Sequence, residues 1–377
     1  MSRGRVAGAC AAIALLAAAA PVILTLQATG GEPSVFVRMA ETEPMAALAR
    51  EADPEFRFVD IGAHYDGVYF YAIAQDPLAR GEAHELIDKS GYRYGHAGYG
   101  WLGWLFSFGQ TSAIPVVLLL LGFAGLGLAA AGTSLLSARL GWTPWAGLVV
   151  AFHPGLIYSL TALTSETVGA ALLVFGILFW VQERYGPAAI TLVALCLVKE
   201  PFVLVPIGLG LWELGVWRRD RDTGETARRL ALLAIGPVIF ATWYLYLRVQ
   251  FGEWPFAATE GFFAFPLAGW FQSIREAATM ATQDFFSSQL GAASAPLLAA
   301  AAAALVVGAV KASRLRNPMD GPFLLLTLLA LCLQPIGVLY PKDLIREIAM
   351  PLLLLPIALG ISGSQSDDPI EARAGIV

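Results

Sequence analysis

The stretch HYDGVYFYAIAQDP, residues 64–77, sets one carboxylate, Asp66, in a run of aromatic and aliphatic residues. A carboxylate is costly beside apolar groups unless it is paired, hydrogen-bonded or used. The run after Asp66 reads as a short interfacial helix. It closes at Asp76-Pro77, because the residue before a proline resists helix. At the start of that helix Asp66 could be an N-cap accepting backbone N–H bonds, with the aromatics dipping into the membrane interface. It could also be a fixed anion that takes the proton of an attacking hydroxyl, since a capped carboxylate stays ionised at neutral pH. Asp60, a little earlier in the chain, competes for the same role.

These residues must be held by membrane-embedded helices. The chain has 377 residues, of which 57% are hydrophobic and 14% charged. A soluble domain carries about 25% charged residues, so the bilayer is the expected solvent. The formal charge of -5 decides little, because in a membrane protein the placement of charge matters more than its sum. No basic stripe interleaves with exposed aromatics, so nucleic acid is not an expected partner. Cys10, Cys196 and Cys332 lie in apolar runs without CxxC spacing, which argues against a disulfide framework or a zinc site.

At the N-terminus, SRGR precedes VAGACAAIALLAAAAPVILTLQ. Ala18-Ala19-Ala20 offers the small residues of a signal-peptide cleavage site. The apolar run nevertheless continues past Pro21 to Leu26, close to the roughly 20 residues that a bilayer span needs, so a retained first helix is expected. Further apolar segments lie at about 113–138, 145–163, 167–182, 187–199, 201–217, 229–251, 293–313, 320–340 and 344–362. Residues 187–199 and 201–217 meet at Lys199-Glu200-Pro201 and could form one helix kinked by proline. Reading them as two spans puts Arg3/Arg5, Arg139, Arg184, Arg218 through Arg229, and Lys311/Arg314/Arg316 all on one side, as the positive-inside rule asks. The expected fold is an all-α polytopic membrane protein of about ten transmembrane helices. It forms a single integral membrane domain over residues 1–362, with both termini cytoplasmic and a disordered polar tail at 363–377. No internal repeat is visible.

This topology places residues 29–110 outside the cell as a long first loop with interfacial helices. GYGWLGWLFSFG, 98–109, suits the interface, being too short to span and rich in Trp and Phe. Residues 164–166, Lys199-Glu200, 252–290 and 341–347 also fall outside. Within 252–290, LAGWFQSIREAATMATQDFF is amphipathic and is expected to lie along the surface. Asp60, His64, Asp66, Arg93, His96, Glu166, Lys199, Glu200, Lys342, Arg346 and Glu347 all stand in or beside these outer segments. The other side carries mainly arginine clusters, which topology alone explains. Ionisable residues at membrane depth are functional candidates because lipid makes them costly. The asymmetry points to a site at the outer membrane boundary.

HYDGVYFYAIA resembles the W-D-x-x-x-F-x-x-I-A segment of the PIG-V-type mannosyltransferases and their bacterial relatives, members of the GT-C class of glycosyltransferases. Tyr65 stands where the family usually has Trp. Asp66 matches the aspartate, and Phe70, Ile73 and Ala74 match the apolar positions. YRYGHAGYGWLGWL resembles the family's stretch of Arg or Phe followed by Tyr-Pro-Leu, with Gly100 where Pro is usual. HPGLIYSLTALTSETVGAALLVFGILFW, 153–180, resembles a segment that opens N-P and carries T-E. There Glu166 matches the acidic residue and His153 replaces Asn. CLVKEPFVLVPIGLGLW, 196–212, resembles a segment reading L-T-R-E/P-T, with Lys199 in place of Arg and Glu200 matching. The resemblance covers roughly residues 1–220.

The resemblance implies an inverting hexosyltransferase that takes a sugar, mannose favoured, from a polyprenyl-phosphate donor to a lipid, glycan or protein hydroxyl. It implies Asp66 as catalytic base. The leaving phosphate needs cations, for which Lys199, Lys342 and Arg346 are the candidates. Lys342 and Arg346, spaced i, i+4, share one face if a helix begins there. Asp60, His64, Arg93, His96, Glu166 and Glu200 are candidates for holding substrate. No cofactor beyond the lipid-linked donor is implied and no metal site is assigned, although Asp60 and Asp66 could offer oxygen ligands to a divalent ion. Plainer roles stand beside these. Lys199 and Lys342 could snorkel to the interface, Arg346 and Glu347 could pair with neighbouring helices, Glu166 could cap the helix from Thr167, and His64 and His96 could be satisfied interface residues. A transporter or lipid flippase, or a non-catalytic membrane scaffold, is the alternative function. A transporter would be expected to show repeats and mid-span charges.

Overall fold

A computed structural model describes residues 2–220, 222–259, 261–280 and 285–360. The tail expected to be disordered, 363–377, lies outside the described residues. Helix dominates. Among the described residues no strand forms, and Ala40 with Val59 and Phe263 with Leu333 make isolated bridges. The helices Arg3–Ala28, Thr111–Arg139, Glu200–Arg218, Thr223–Phe251 and Ala293–Ala312 are long and apolar enough to cross a membrane. Glu166–Val181, Tyr185–Val198, Asp320–Leu331 and Ala349–Gly360 are shorter apolar helices. The chain is thus a helical protein with several membrane-spanning candidates.

The first helix buries Val6, Cys10, Ala14, Ala18 and Val22. These recur every four residues, so they share one face, and that face packs on the helix Ile114–Arg139. Leu16 and Leu24 point outward, 73% and 66% exposed, as suits a lipid-facing side. Lys199 separates Tyr185–Val198 from the turn that leads into Leu204–Asp220. Two helices therefore form where one kinked span was the alternative.

Several expected segments are built differently. The apolar segment 145–163 is broken. A short turn, Leu148–Ala151, ends at Phe152, and a new helix runs Pro154–Thr161. His153 adopts an extended backbone and caps that helix by accepting from the Leu156 N–H. Pro154 follows at the first helical position, where it has no N–H to leave unpaired. The segment 320–340 stops as a helix at Leu331. Beyond it, the Cys332 carbonyl accepts from the Ala264 N–H at 2.8 Å and the Gln334 N–H donates to the Phe262 carbonyl at 2.9 Å. The segment 344–362 divides at Ile348 into the helices Pro341–Glu347 and Ala349–Gly360.

The helix after Asp66, Gly67–Gln75, does not present its aromatics outward as expected. Every residue from Gly67 to Ala74 is buried. The helix packs on Gly98–Phe106, and its aromatics fill the protein interior instead of dipping into lipid. Gly67 is where this burial is tightest: a Cβ there would meet the carbonyl oxygens of Val37 and Ala162 at 2.6 Å. Only glycine lets the helix start so close to both strands of chain. In 98–109 the first half is buried and the end is exposed at Phe106 and Phe108, which suits an aromatic anchor. The amphipathic segment folds as Ala268–Met280 and turns Trp270, Ser273 and Ala277 inward, with the Trp270 indole donating to the Ala330 carbonyl at 2.9 Å.

Candidate active site

A cavity of about 320 Å³ opens where the expected outer segments meet. Its wall draws on each of them: Asp66, Arg93 and His96 from the first loop, Glu166, Lys199 and Glu200 from helix ends, Phe256, Thr259, Phe262 and Phe263, and Arg346 with Glu347. Asp66, Arg93, His96, Glu166, Lys199, Glu200 and Arg346 are therefore brought together as anticipated.

Asp66 is not a side-chain N-cap. Its backbone is already helical and its carboxylate accepts no helix N–H. It pairs with two guanidiniums instead: Oδ2 with Nη1 of Arg346, and Oδ1 with Nη1 of Arg93 at 3.4 Å. Burial opposes ionisation of this carboxyl. The charge of Arg346, followed by that of Arg93, outweighs burial and holds the group well below the usual carboxylate range. The Arg93 guanidinium lies 3.5 Å from the Tyr69 ring centroid. Tyr65, at the position where the resembling family has Trp, is flanked by Arg346 and Lys342, at 5.0 and 4.9 Å from its ring centroid. These two cations do share a face of Pro341–Glu347. Lys342 is nevertheless exposed and does not line the cavity.

Lys199 does not snorkel. Its Nζ is held by Glu166 Oε1 at 3.0 Å and Glu347 Oε2 at 3.4 Å. Glu166, 3% exposed, also accepts from Ser159 Oγ at 3.0 Å, so its carboxylate serves tertiary partners and not the helix it begins. Glu347 Oε1 accepts from Arg346 Nη2 at 2.9 Å. Arg93, Asp66, Arg346, Glu347, Lys199 and Glu166 thus form a chain of alternating charge. Alternation is what makes the burial tolerable, since an unpaired buried charge is strongly destabilising. Gly155 lets the chain close: a Cβ there would lie 1.9 Å from the Ile345 carbonyl oxygen. Its absence allows Pro154–Thr161, which carries Ser159, to press against Pro341–Glu347, which carries Arg346.

Next to this chain, His96 is 7% exposed, and its Nδ1 lies 3.1 Å from Glu200 Oε2. Phe70 and Tyr92 flank the ring at 5.8 and 5.2 Å between centroids. The ring's one hydrogen bond among the described residues is at Nδ1, which leaves Nε2 without a partner there.

Asp60 and His64 stand apart. Asp60 is exposed before the turn Ile61–Ala63, His64 pairs with Glu43, and neither lines the cavity. Asp60 and Asp66 are not gathered round one site, so the divalent-ion arrangement lacks its geometry. Among the described residues no group of three or more His, Cys, Asp or Glu is arranged to hold a metal. Sequence reasoning missed Asp343, which accepts from the Tyr65 hydroxyl at 2.8 Å, and Tyr244 on the wall. It also missed an apolar rim of Phe256, Phe262, Phe263, Leu333 and Ile336, of which Ile336 is 61% exposed. These residues carry no motif, and backbone pairing between distant segments brings them together.

No family model matches the chain, and no curated protein matches it as a relative.

Proposed function

We propose that this protein is a membrane glycosyltransferase. It moves a sugar, mannose favoured, from a polyprenyl-phosphate donor to an acceptor hydroxyl at the extracytoplasmic face of the cell membrane. The observation that carries the reading is the pairing of two walls in one cavity. Arg93, Lys199 and Arg346 supply cations, and Phe256, Phe262 and Phe263 with Leu333 and Ile336 supply an apolar rim. A lipid phosphate has a matching anionic head and apolar tail.

Each cation in the resting protein is already met by a carboxylate. A phosphate entering beside Arg346 competes with Asp66 and Glu347 for its donors, and guanidinium is suited to bind it in two-point fashion. Arg346 and Lys199 then stabilise the charge that grows on the departing phosphate. Asp66, loosened from Arg346, holds the attacking hydroxyl on the face of the anomeric carbon opposite the phosphate, which gives inversion. Arg93, His96 and Glu200 line the space left for the sugar and acceptor. Lys342 shares the helix face of Arg346 and adds positive charge nearby.

The test uses purified protein in liposomes with radiolabelled polyprenyl-phosphate mannose and a mixture of lipid and glycan acceptors. Wild-type protein should form labelled product, and Arg346→Ala should lose about 10²- to 10³-fold in rate. A wild type that transfers nothing, with mannosyl and other hexosyl donors alike, rules the reading out.

A further inference from the structure

We infer that His96, oriented by Glu200, takes the acceptor's proton, and that Asp66 positions the hydroxyl without removing its proton. This inference rests on the glycosyltransferase reading and gives the expected role of catalytic base to a different residue.

A base needs a free lone pair and enough proton affinity to use it. Asp66 is short of both. Its two oxygens face Arg346 and Arg93. A phosphate that draws Arg346 away still leaves Arg93 beside Oδ1. Two guanidiniums suit an anion that accepts hydrogen bonds and keeps its charge, which is what orienting a hydroxyl requires.

His96 has the complementary arrangement. A carboxylate can only accept, so the ring nitrogen that faces Glu200 carries the hydrogen, Nδ1–H. In the neutral ring the lone pair is then on Nε2, the nitrogen left without a partner among the described residues. The ring lines the cavity, and Phe70 and Tyr92 fix its plane. Glu200 directly follows Lys199, whose ammonium is anchored in the charge chain. One peptide link thus ties the orienting carboxylate to the cations that receive the phosphate. Charged and titratable groups near His96 include Glu200 from the helix end, Asp66 and Tyr92 from the first loop, Tyr244 from Thr223–Phe251, and Lys199 and Arg93 on the same cavity wall.

In the step itself, an oxygen lone pair of the acceptor forms the bond to the anomeric carbon. The bond from that carbon to the phosphate oxygen breaks, and its electron pair leaves with the polyprenyl phosphate. The acceptor's proton passes to Nε2 of His96. The imidazolium is stabilised by Glu200 and returns its proton to water after product leaves.

The test uses the full chain in liposomes with polyprenyl-phosphate mannose as donor. His96→Ala should lower kcat by about 10²- to 10⁴-fold while the donor KM stays within about threefold of wild type, which also reports an intact fold. Added imidazole should restore part of the lost rate. Glu200→Gln should lower kcat less than His96→Ala does, and Glu200→Asp should recover part of the loss. Wild-type transfer with His96→Ala unchanged in rate overturns the inference and leaves the glycosyltransferase reading standing. So does a loss that imidazole does not relieve. A wild type without transfer overturns both.

Discussion

The helix Glu166–Val181 joins two buried charge clusters that differ in what they leave open. At its start, Glu166 belongs to the chain of charges around Arg346 and Lys199, and that chain faces a cavity. Near its end, about 21 Å away at 1.5 Å per residue, Trp180 donates to Glu213 Oε1 at 3.0 Å. Glu213, 1% exposed, pairs with Arg229 at 3.3 Å. Arg229 also pairs with Glu225 at 2.9 Å and lies over the Tyr185 ring. None of these residues lines the cavity. Both clusters bury charge, and both would look alike to a count of ionisable residues in apolar helices. The second spends its polar groups on one another and ties four helices together. The first adjoins open volume and leaves one imidazole nitrogen free. Burial of charge is therefore a weak sign of chemistry, and burial beside empty space with spare bonding capacity is a stronger one.

The largest expected difference between the clusters is in activity. Arg346→Lys should fall well short of restoring the rate lost in Arg346→Ala, because an ammonium cannot bridge Asp66 and Glu347 as the guanidinium fork does. A Lys variant with wild-type transfer would mean that charge alone suffices at this position. At the other cluster, removing one partner should cost stability and not rate. Glu213→Ala should destabilise by about 3–5 kcal/mol, whereas the paired change Glu213→Met with Arg229→Met should be near neutral. Thermal unfolding in detergent measures this. Loss of transfer by a well-folded paired variant would break the comparison.

A smaller effect follows from acid. The folded Asp66 carboxyl titrates below its ordinary value of 3.8. Its ion pairs therefore contribute in full above that value, and their contribution fades as pH falls below about 4. Acidification through this range should lower the unfolding temperature of wild type more than that of Asp66→Asn. Equal sensitivity would place the acid-labile pairs elsewhere. The smallest effect is expected outside the cavity. Asp60→Asn should change transfer by less than about twofold, in keeping with ordinary surface substitutions. A large loss would bring Asp60 back as a substrate-holding residue.

Much of this site could be read from residue placement, because lipid makes charge rare and gathers it where it is tolerated. Asp66, Glu166, Lys199 and Arg346 each stand in or beside an expected outer segment, and they meet. What pairs with what could not be read. Local pattern allows Asp66 as an N-cap or as a fixed anion, while the structure gives it partners 27 and 280 residues away. The run Val68 to Ala74 looked interfacial because an aromatic face packed in protein and one dipped in lipid share a composition. The breaks at His153 and after Leu331 escaped the apolar pattern because proline and distant backbone pairing, and not polarity, set them. His96 was one candidate among many, since the free nitrogen that marks it depends on Glu200, 104 residues on.

The most direct measurement is sugar transfer in membranes carrying wild type or Asp66→Asn at matched expression, with radiolabelled polyprenyl-phosphate mannose as donor. Transfer by wild type that is strongly reduced in Asp66→Asn, whose neutral amide no longer balances Arg93 and Arg346, is the predicted result. Equal transfer by both would contradict the assignment of this cavity as the site of sugar transfer.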